Sequence, residues 1–179
     1  IIYGAKCVDG KFGKALRFDG VDDYVELPDA SFKSNAFTIV AWVKFSSIAA
    51  NGVVVGKYYN GFLWWDAIAN CMRVEFRNSA DTAWRGIPQD GGVCWKPAVN
   101  TWYHLAASFG GAGTTVKLYV NGQLVSETDV IEQNPLITTE MLAVGRWGKS
   151  SKRYFNGIID EVRIYNRALS EEEIRALYE

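Results

Sequence analysis

With 179 residues the chain has the length of one domain, spanning 1–179, and enough apolar sequence to fill a single core. Its 19 basic and 20 acidic residues leave a net charge of −1, which argues against nucleic acid or an anionic membrane as partner. Aromatic residues make up 14%, with seven Trp, more than such a core requires, and no run of about 18 apolar residues offers a membrane span. The opening Ile1-Ile2-Tyr3 reads as a domain cut from a longer precursor, so the missing leader says little about export.

Strand signals then recur from one end to the other. Residues 15–18 form a short strand halted by Asp19-Gly20-Val21-Asp22-Asp23, and 24–27 resume it until Pro28-Asp29. Residues 37–45 are almost wholly apolar, as a central strand covered on both faces should be. Strands over 53–57, 62–69 and 72–77 follow, with Asn60-Gly61 and Ala69-Asn70 as turns. Residues 79–100 hold Pro, Gly and two Trp with little alternation and are expected to form a long loop of the kind that carries function.

Further strands are expected over 102–109, 115–120, 123–126, 141–145 and 154–165, with Asn121-Gly122 closing the clearest hairpin. Along 158–165, Ile158, Asp160, Val162 and Ile164 share one face, which places a carboxylate on a core-facing row. Ser170 with Glu173 three residues later is a capping box, and Ile174 and Leu177 give the short helix behind it one apolar edge. The pattern is all-β: two packed antiparallel sheets closed by a short C-terminal helix.

Three cysteines are present. A bridge between Cys71 and Cys94 would staple the long loop to the sheet, contributing roughly 3 kcal/mol. The alternative is two buried thiols, and the extracellular character of the rest favours the bridge. No Cys-x-x-Cys pair is present to suggest zinc.

Residues 13–25 (Gly-Lys-Ala-Leu-Arg-Phe-Asp-Gly-Val-Asp-Asp-Tyr-Val), 37–43, 102–106, the 116–124 hairpin and 155–170 together resemble laminin-G-like domains of the concanavalin A-like jelly-roll superfamily. The resemblance implies a jelly-roll sandwich of two antiparallel sheets, one concave, with the first and last strands adjacent. It does not by itself imply one function, because such domains serve as lectin-like modules, adhesion domains, modules of glycoside hydrolases and polysaccharide-cleaving enzymes.

Asp19, Asp22 and Asp23 crowd one turn, which the resemblance sets beside Asp160. An all-oxygen cage of this kind suits Ca²⁺, and similar domains hold a structural Ca²⁺ joining the chain ends. Asp19, Asp22 and Asp160 are the expected ligands; alternatively the first two cap their own turn while Asp160 accepts backbone N–H groups.

Glu127, Asp129 and Glu132 match the Glu-x-Asp-x-x-Glu spacing of laminarinase-like retaining glycosidases. Those enzymes carry it on a central strand before the hairpin, whereas here it follows the hairpin, so a catalytic role is not expected. His104, the one histidine, has no nucleophile assignable to it and is expected to be structural.

Trp42 and Trp102 fall inside strands and are assigned to the core, whereas Trp64, Trp65, Trp84, Trp95 and Trp147 stand on or beside turns. Trp64 and Trp65 must point to opposite faces, so one of them can be presented. An exposed indole with donors nearby suits a sugar ring. The expected function is therefore a non-catalytic saccharide-binding module of a larger secreted or cell-surface protein. Binding would lie on the concave sheet and its bordering loops, with Trp84, Trp147 and one of Trp64 or Trp65 as platforms and Arg77 and Arg153 as donors. Lys149, Lys152 and Arg153 near Trp147 suit an acidic sugar or simply a solvated loop. The competing readings are an adhesion domain for a protein partner and, third, a polysaccharide hydrolase or lyase.

Overall fold

The structure, a computed structural model, describes residues 1–27, 34–57, 61–88, 94–136, 138, 141–148 and 153–179. The expected turn at Pro28-Asp29, Asn60, Lys149 and Lys152 lie outside them. The first half of the chain contributes β1 (Ile2–Tyr3), β2 (Lys6–Asp9), β3 (Lys14–Asp19), β4 (Tyr24–Leu27), β5 (Phe37–Phe45), β6 (Gly52–Lys57) and β7 (Gly61–Asp66). The second contributes β8 (Cys71–Arg77), β9 (Trp84–Ile87), β10 (Trp102–Phe109), β11 (Val116–Val120), β12 (Gln123–Glu127), β13 (Leu142–Val144), β14 (Asn156–Tyr165) and α1 (Glu171–Tyr178).

These strands form two seven-stranded antiparallel sheets, ordered β1-β4-β13-β6-β7-β8-β9 and β12-β11-β10-β5-β14-β3-β2. Strand β14, near the end of the chain, lies against β3, near its start. The architecture is the expected jelly-roll sandwich with a short C-terminal helix.

Alternation explains which side of each strand fills the sandwich. Phe37, Ile39, Ala41, Val43 and Phe45 of β5 meet Val54, Leu63, Trp65, Val74 and Phe76 of the facing sheet in the main core. The other face of β5 is covered too, as its apolar run requires: Val40 packs with Ala106, Tyr119, Leu169 and Ile174 beneath α1, and Trp42 stacks on Tyr178 at 5.6 Å. Helix α1 starts where its sequence says it should. Glu173 N–H donates to Ser170 Oγ (3.2 Å), and Ser170 N–H donates to the Glu173 carboxylate (2.8 Å).

Four details depart from expectation. The opening residues add β1 and β2, too short to show alternation, and β9 lies within the expected long loop. The strand expected to reach residue 69 ends at Asp66, whose Oδ1 accepts the Ile68 and Ala69 N–H groups at 3.1 Å each and turns the chain. Trp102 is only half-buried, with the Lys44 ammonium 5.2 Å from its ring, so it is not core.

The fourth departure concerns Asp160. A bulge between Asp160 and Arg163, with Glu161 at φ 47°, breaks the alternation of β14. Ile159 faces the core before the bulge, and Val162 and Ile164 face it after. Asp160 therefore does not share their face; it pairs across from Trp42 on the outer side. There one of its oxygens accepts Lys11 N–H (2.8 Å) and Phe12 N–H (3.0 Å), and the other accepts Glu161 N–H (2.8 Å).

Candidate functional site

The disulfide is formed: Cys71 and Cys94 are bridged with Cα atoms 5.1 Å apart, and Cys7 is free and exposed. Met72 N–H donates to Trp95 O (2.9 Å), and Trp95 packs edge-on against Tyr103 at 4.9 Å, so this indole braces the core rather than standing free.

Trp64 and Trp65 divide between the two faces of β7. Trp65 is 1% exposed in the inter-sheet core and donates its Nε1–H to Ile48 O at 3.0 Å, which removes it from the candidate platforms. Trp64 faces outward. Cross-strand register sets Val53 and Arg73 beside it, and sets Arg77 beside Trp84.

Trp147 arrives over this face from the segment after β13. That segment crosses β6 at Gly56, where a Cβ would stand 2.9 Å from Arg146 O and 3.5 Å from Trp147 Cα. Only glycine admits so close a crossing. Trp147 then meets Trp64 edge-on (5.6 Å, 87°) and Trp84 at a tilt (5.5 Å, 59°). The Arg153 guanidinium lies over both Trp64 (4.6 Å) and Trp147 (5.0 Å). The three indoles, Arg153, Asp66, Arg73 and Glu75 line an open cleft of about 440 Å³ on the outer face of the first sheet.

The rings are not equally available. Trp84 is 41% exposed, whereas Trp64 at 5% and Trp147 at 7% are covered by each other and by Arg153. Trp84 is the surface on which a ring can lie, and the other two form the wall. The polar floor is tightly coupled. Arg73 donates to Asp66 (2.7 Å) and Glu75 (3.0 Å), and Trp64 Nε1–H donates to the second Glu75 oxygen (3.2 Å). Burial pushes the Glu75 carboxyl above its ordinary range, against the pull of Arg73.

Arg77, expected to be a donor, is committed elsewhere. It donates to the Asp81 carboxylate (2.7 Å) and the Asp81 carbonyl (3.0 Å), with its guanidinium 5.8 Å from the Trp84 ring centre, so it supports that ring from outside the cleft lining. Asp66, Arg73 and Glu75 were not anticipated. The signal was there, since Arg73, Glu75 and Arg77 alternate with Met72, Val74 and Phe76 along β8.

The acidic residues do not assemble as expected. Asn156 pairs with Asp19, so Asp160 lies four residues further along β14, about 13 Å away at the rise of a strand. One ligand oxygen from each of Asp19, Asp22 and Asp23 can lie within 4.8 Å of the others, about twice a Ca²⁺–oxygen distance. Their donor chemistry and spacing fit Ca²⁺, with Asp23 in the place expected of Asp160. The same carboxylates also brace their turn: Asp19 Oδ1 accepts Val21 N–H (2.8 Å), and Asp23 accepts Asp19 N–H (2.9 Å). Backbone donors, Val21 foremost, lower the Asp19 pKa.

Glu127, Asp129 and Glu132 are all exposed, along edge strand β12 and the segment after it. His104 is buried against Trp42 (5.3 Å) and Tyr178 (5.9 Å) beneath α1, well away from the cleft in the other sheet. Burial, with Arg163 adding to it, lowers its pKa to about 4.

Residues 19–175 match the family model Laminin_G_3 of the concanavalin A-like lectin/glucanases superfamily, and the chain belongs to that family. No curated protein sequence matches it at a significant level. Domain 4 of AbnA, a GH43 extracellular arabinanase from Geobacillus stearothermophilus, solved in complex with arabinotriose, is 25% identical with TM-score 0.75; the match covers 99% of this chain and 82% of that one. The binding domain of Paraclostridial Mosquitocidal Protein 1 superposes with TM-score 0.74 at 15% identity, over 99% of this chain and 46% of that one. Trypanosoma rangeli sialidase in complex with sialic acid superposes with TM-score 0.65 at 20% identity, over 97% of this chain and 29% of that one. The chain thus spans less than half of those two longer relatives. No helix among the described residues is long and apolar enough to cross a membrane.

Proposed function

We propose that this chain is a non-catalytic saccharide-binding module of a larger secreted or surface-displayed protein, and that the cleft of Trp64, Trp84 and Trp147 is its binding site. One observation carries the reading: a half-exposed indole, Trp84, borders a cleft whose remaining walls are indole, guanidinium and carboxylate. A sugar offers C–H faces for the ring and hydroxyls for the charged groups, and this mixture suits both. A relative 25% identical over nearly the whole chain was solved with an oligosaccharide, which supports the class of ligand.

Titration with a panel of neutral and acidic oligosaccharides, followed by Trp fluorescence, tests it. A saturable shift that weakens about tenfold or more in Trp84→Ala is the expected result. No shift with any glycan, together with capture of a protein partner, would favour an adhesion domain instead. Release of reducing ends or unsaturated products would turn attention to Glu127, Asp129 and Glu132.

Asp19, Asp22 and Asp23 are further proposed to hold a structural Ca²⁺ at the β3–β4 turn, with no part in chemistry. Chelator should lower the melting temperature and Ca²⁺ restore it; an unchanged melt would remove the ion.

A further inference from the structure

Two arginines share the cleft, and they differ in what their N–H groups do. Arg73 spends its donors on Asp66 and Glu75 at 2.7 and 3.0 Å. Arg153 has no hydrogen-bond acceptor and no carboxylate partner among the described residues, and its contacts are with the faces of Trp64 and Trp147. A planar guanidinium can lie flat on only one of two rings set at 87° to each other, and the N–H groups directed away from both indoles are left without an acceptor. The two indoles hold these unspent donors beside the cleft.

Resting on the saccharide reading above, we infer that the cleft selects sugars bearing a carboxylate, with Arg153 as the residue that reads it. A carboxylate is the planar, two-oxygen acceptor that matches a guanidinium's fork of N–H donors, which a ring hydroxyl is not. The cleft's own acids do not compete for it. Asp66 and Glu75 are tied to Arg73, and Glu75 also to Trp64 Nε1–H, so neither turns to Arg153. Arabinotriose, the ligand solved with the AbnA domain, has no charge, so this preference would separate the present chain from that relative.

Calorimetric titration of the folded chain with oligogalacturonide, its fully methyl-esterified form, sialyllactose, lactose and arabinotriose decides the matter. At least one acid should bind about tenfold or more tightly than its neutral counterpart, as a charge-assisted bidentate contact supplies. Comparison of the uronide and sialyl arms then identifies the source of the carboxylate. In Arg153→Gln, checked for an unchanged melt, the acid-to-neutral ratio should fall towards one. Arg153→Lys should restore part of it, since charge returns without the fork. Esterification needs no mutant, so the inference stays testable even if the variants fold poorly. Equal binding of acids and neutral counterparts would overturn the carboxylate preference and leave the saccharide site standing. Absence of binding by every glycan would overturn both.

Discussion

Asp160 and His104 are two buried polar groups with opposite fates: both Asp160 oxygens accept backbone N–H groups, whereas His104 Nδ1 has no hydrogen-bond partner among the described residues. Asp160 accepts the N–H groups of Lys11, Phe12 and Glu161 and so fastens the β2–β3 turn to the last strand. Replacement by Asn turns one acceptor into a donor facing an N–H, and Asp160→Asn should lower the unfolding free energy in urea by about 2 kcal/mol. An unchanged midpoint would mean that the turn holds without it. For His104 the sign follows from its depressed pKa of about 4. The unfolded chain takes up a proton near pH 6.5 that the folded chain refuses, so stability falls as pH drops from 6.5 towards 4. The slope approaches 1.4 kcal/mol per pH unit. His104→Gln should flatten that part of the profile in thermal melts; an unaltered slope would assign it to other groups. His104 was expected to be structural and lies buried, whereas the Asp160 arrangement was only partly legible beforehand. Asp160 was recognisable as a costly group, but its face was misassigned, because nothing in Ile159-Asp160-Glu161-Val162 announces a bulge at a non-glycine residue with positive φ. Trp64 and Trp65 were legible as a divided pair, while the side each takes depends on register with β6 and β8.

At the scale of elements, long alternating strands and the capped helix were readable because their signals are local. Asn121 and Gly122 adopt the positive φ values their turn requires (51° and 75°), and β5 and β10 keep the bounds that their apolar runs suggest. Strand β9 was not readable, since Trp84-Arg85-Gly86-Ile87 pairs with β8 through long-range register and shows no alternation of its own. That miss did not hide Trp84, which was expected as a platform; what escaped was the polar floor, Asp66 at the end of β7 with Arg73 and Glu75 of β8. Helix α1 is held by its cap and by the layer it lays over Val40, Ala106 and Tyr119. Ser170→Ala should therefore cost about 1 kcal/mol in chemical denaturation. Because the cap lies on the other sheet, Ser170→Ala should leave glycan affinity unaltered; a parallel loss of affinity would show that the sheets are coupled.

For the molecule as a whole, the sandwich has two outer faces that are furnished differently. One is covered by α1; the other carries Trp64, Arg73, Trp84 and Trp147 with Arg153 above them. The Cys71–Cys94 bridge ties strand β8 of the cleft to the segment beyond residue 93. Its reduction should lower stability by about 3 kcal/mol, read as a shift in the urea midpoint. The sandwich and the family were legible because many weak strand signals agree in order and spacing, whereas the site depends on which of seven indoles the folded sheets leave open. The most direct measurement follows those indoles one by one: the seven Nε1–H resonances in a ¹H–¹⁵N spectrum during titration with the best-binding oligosaccharide. Trp64, Trp84 and Trp147 should move saturably and together, while Trp42, Trp65, Trp95 and Trp102 stay in place. Movement confined to the latter four, or none at saturating glycan, would contradict a saccharide site on this face.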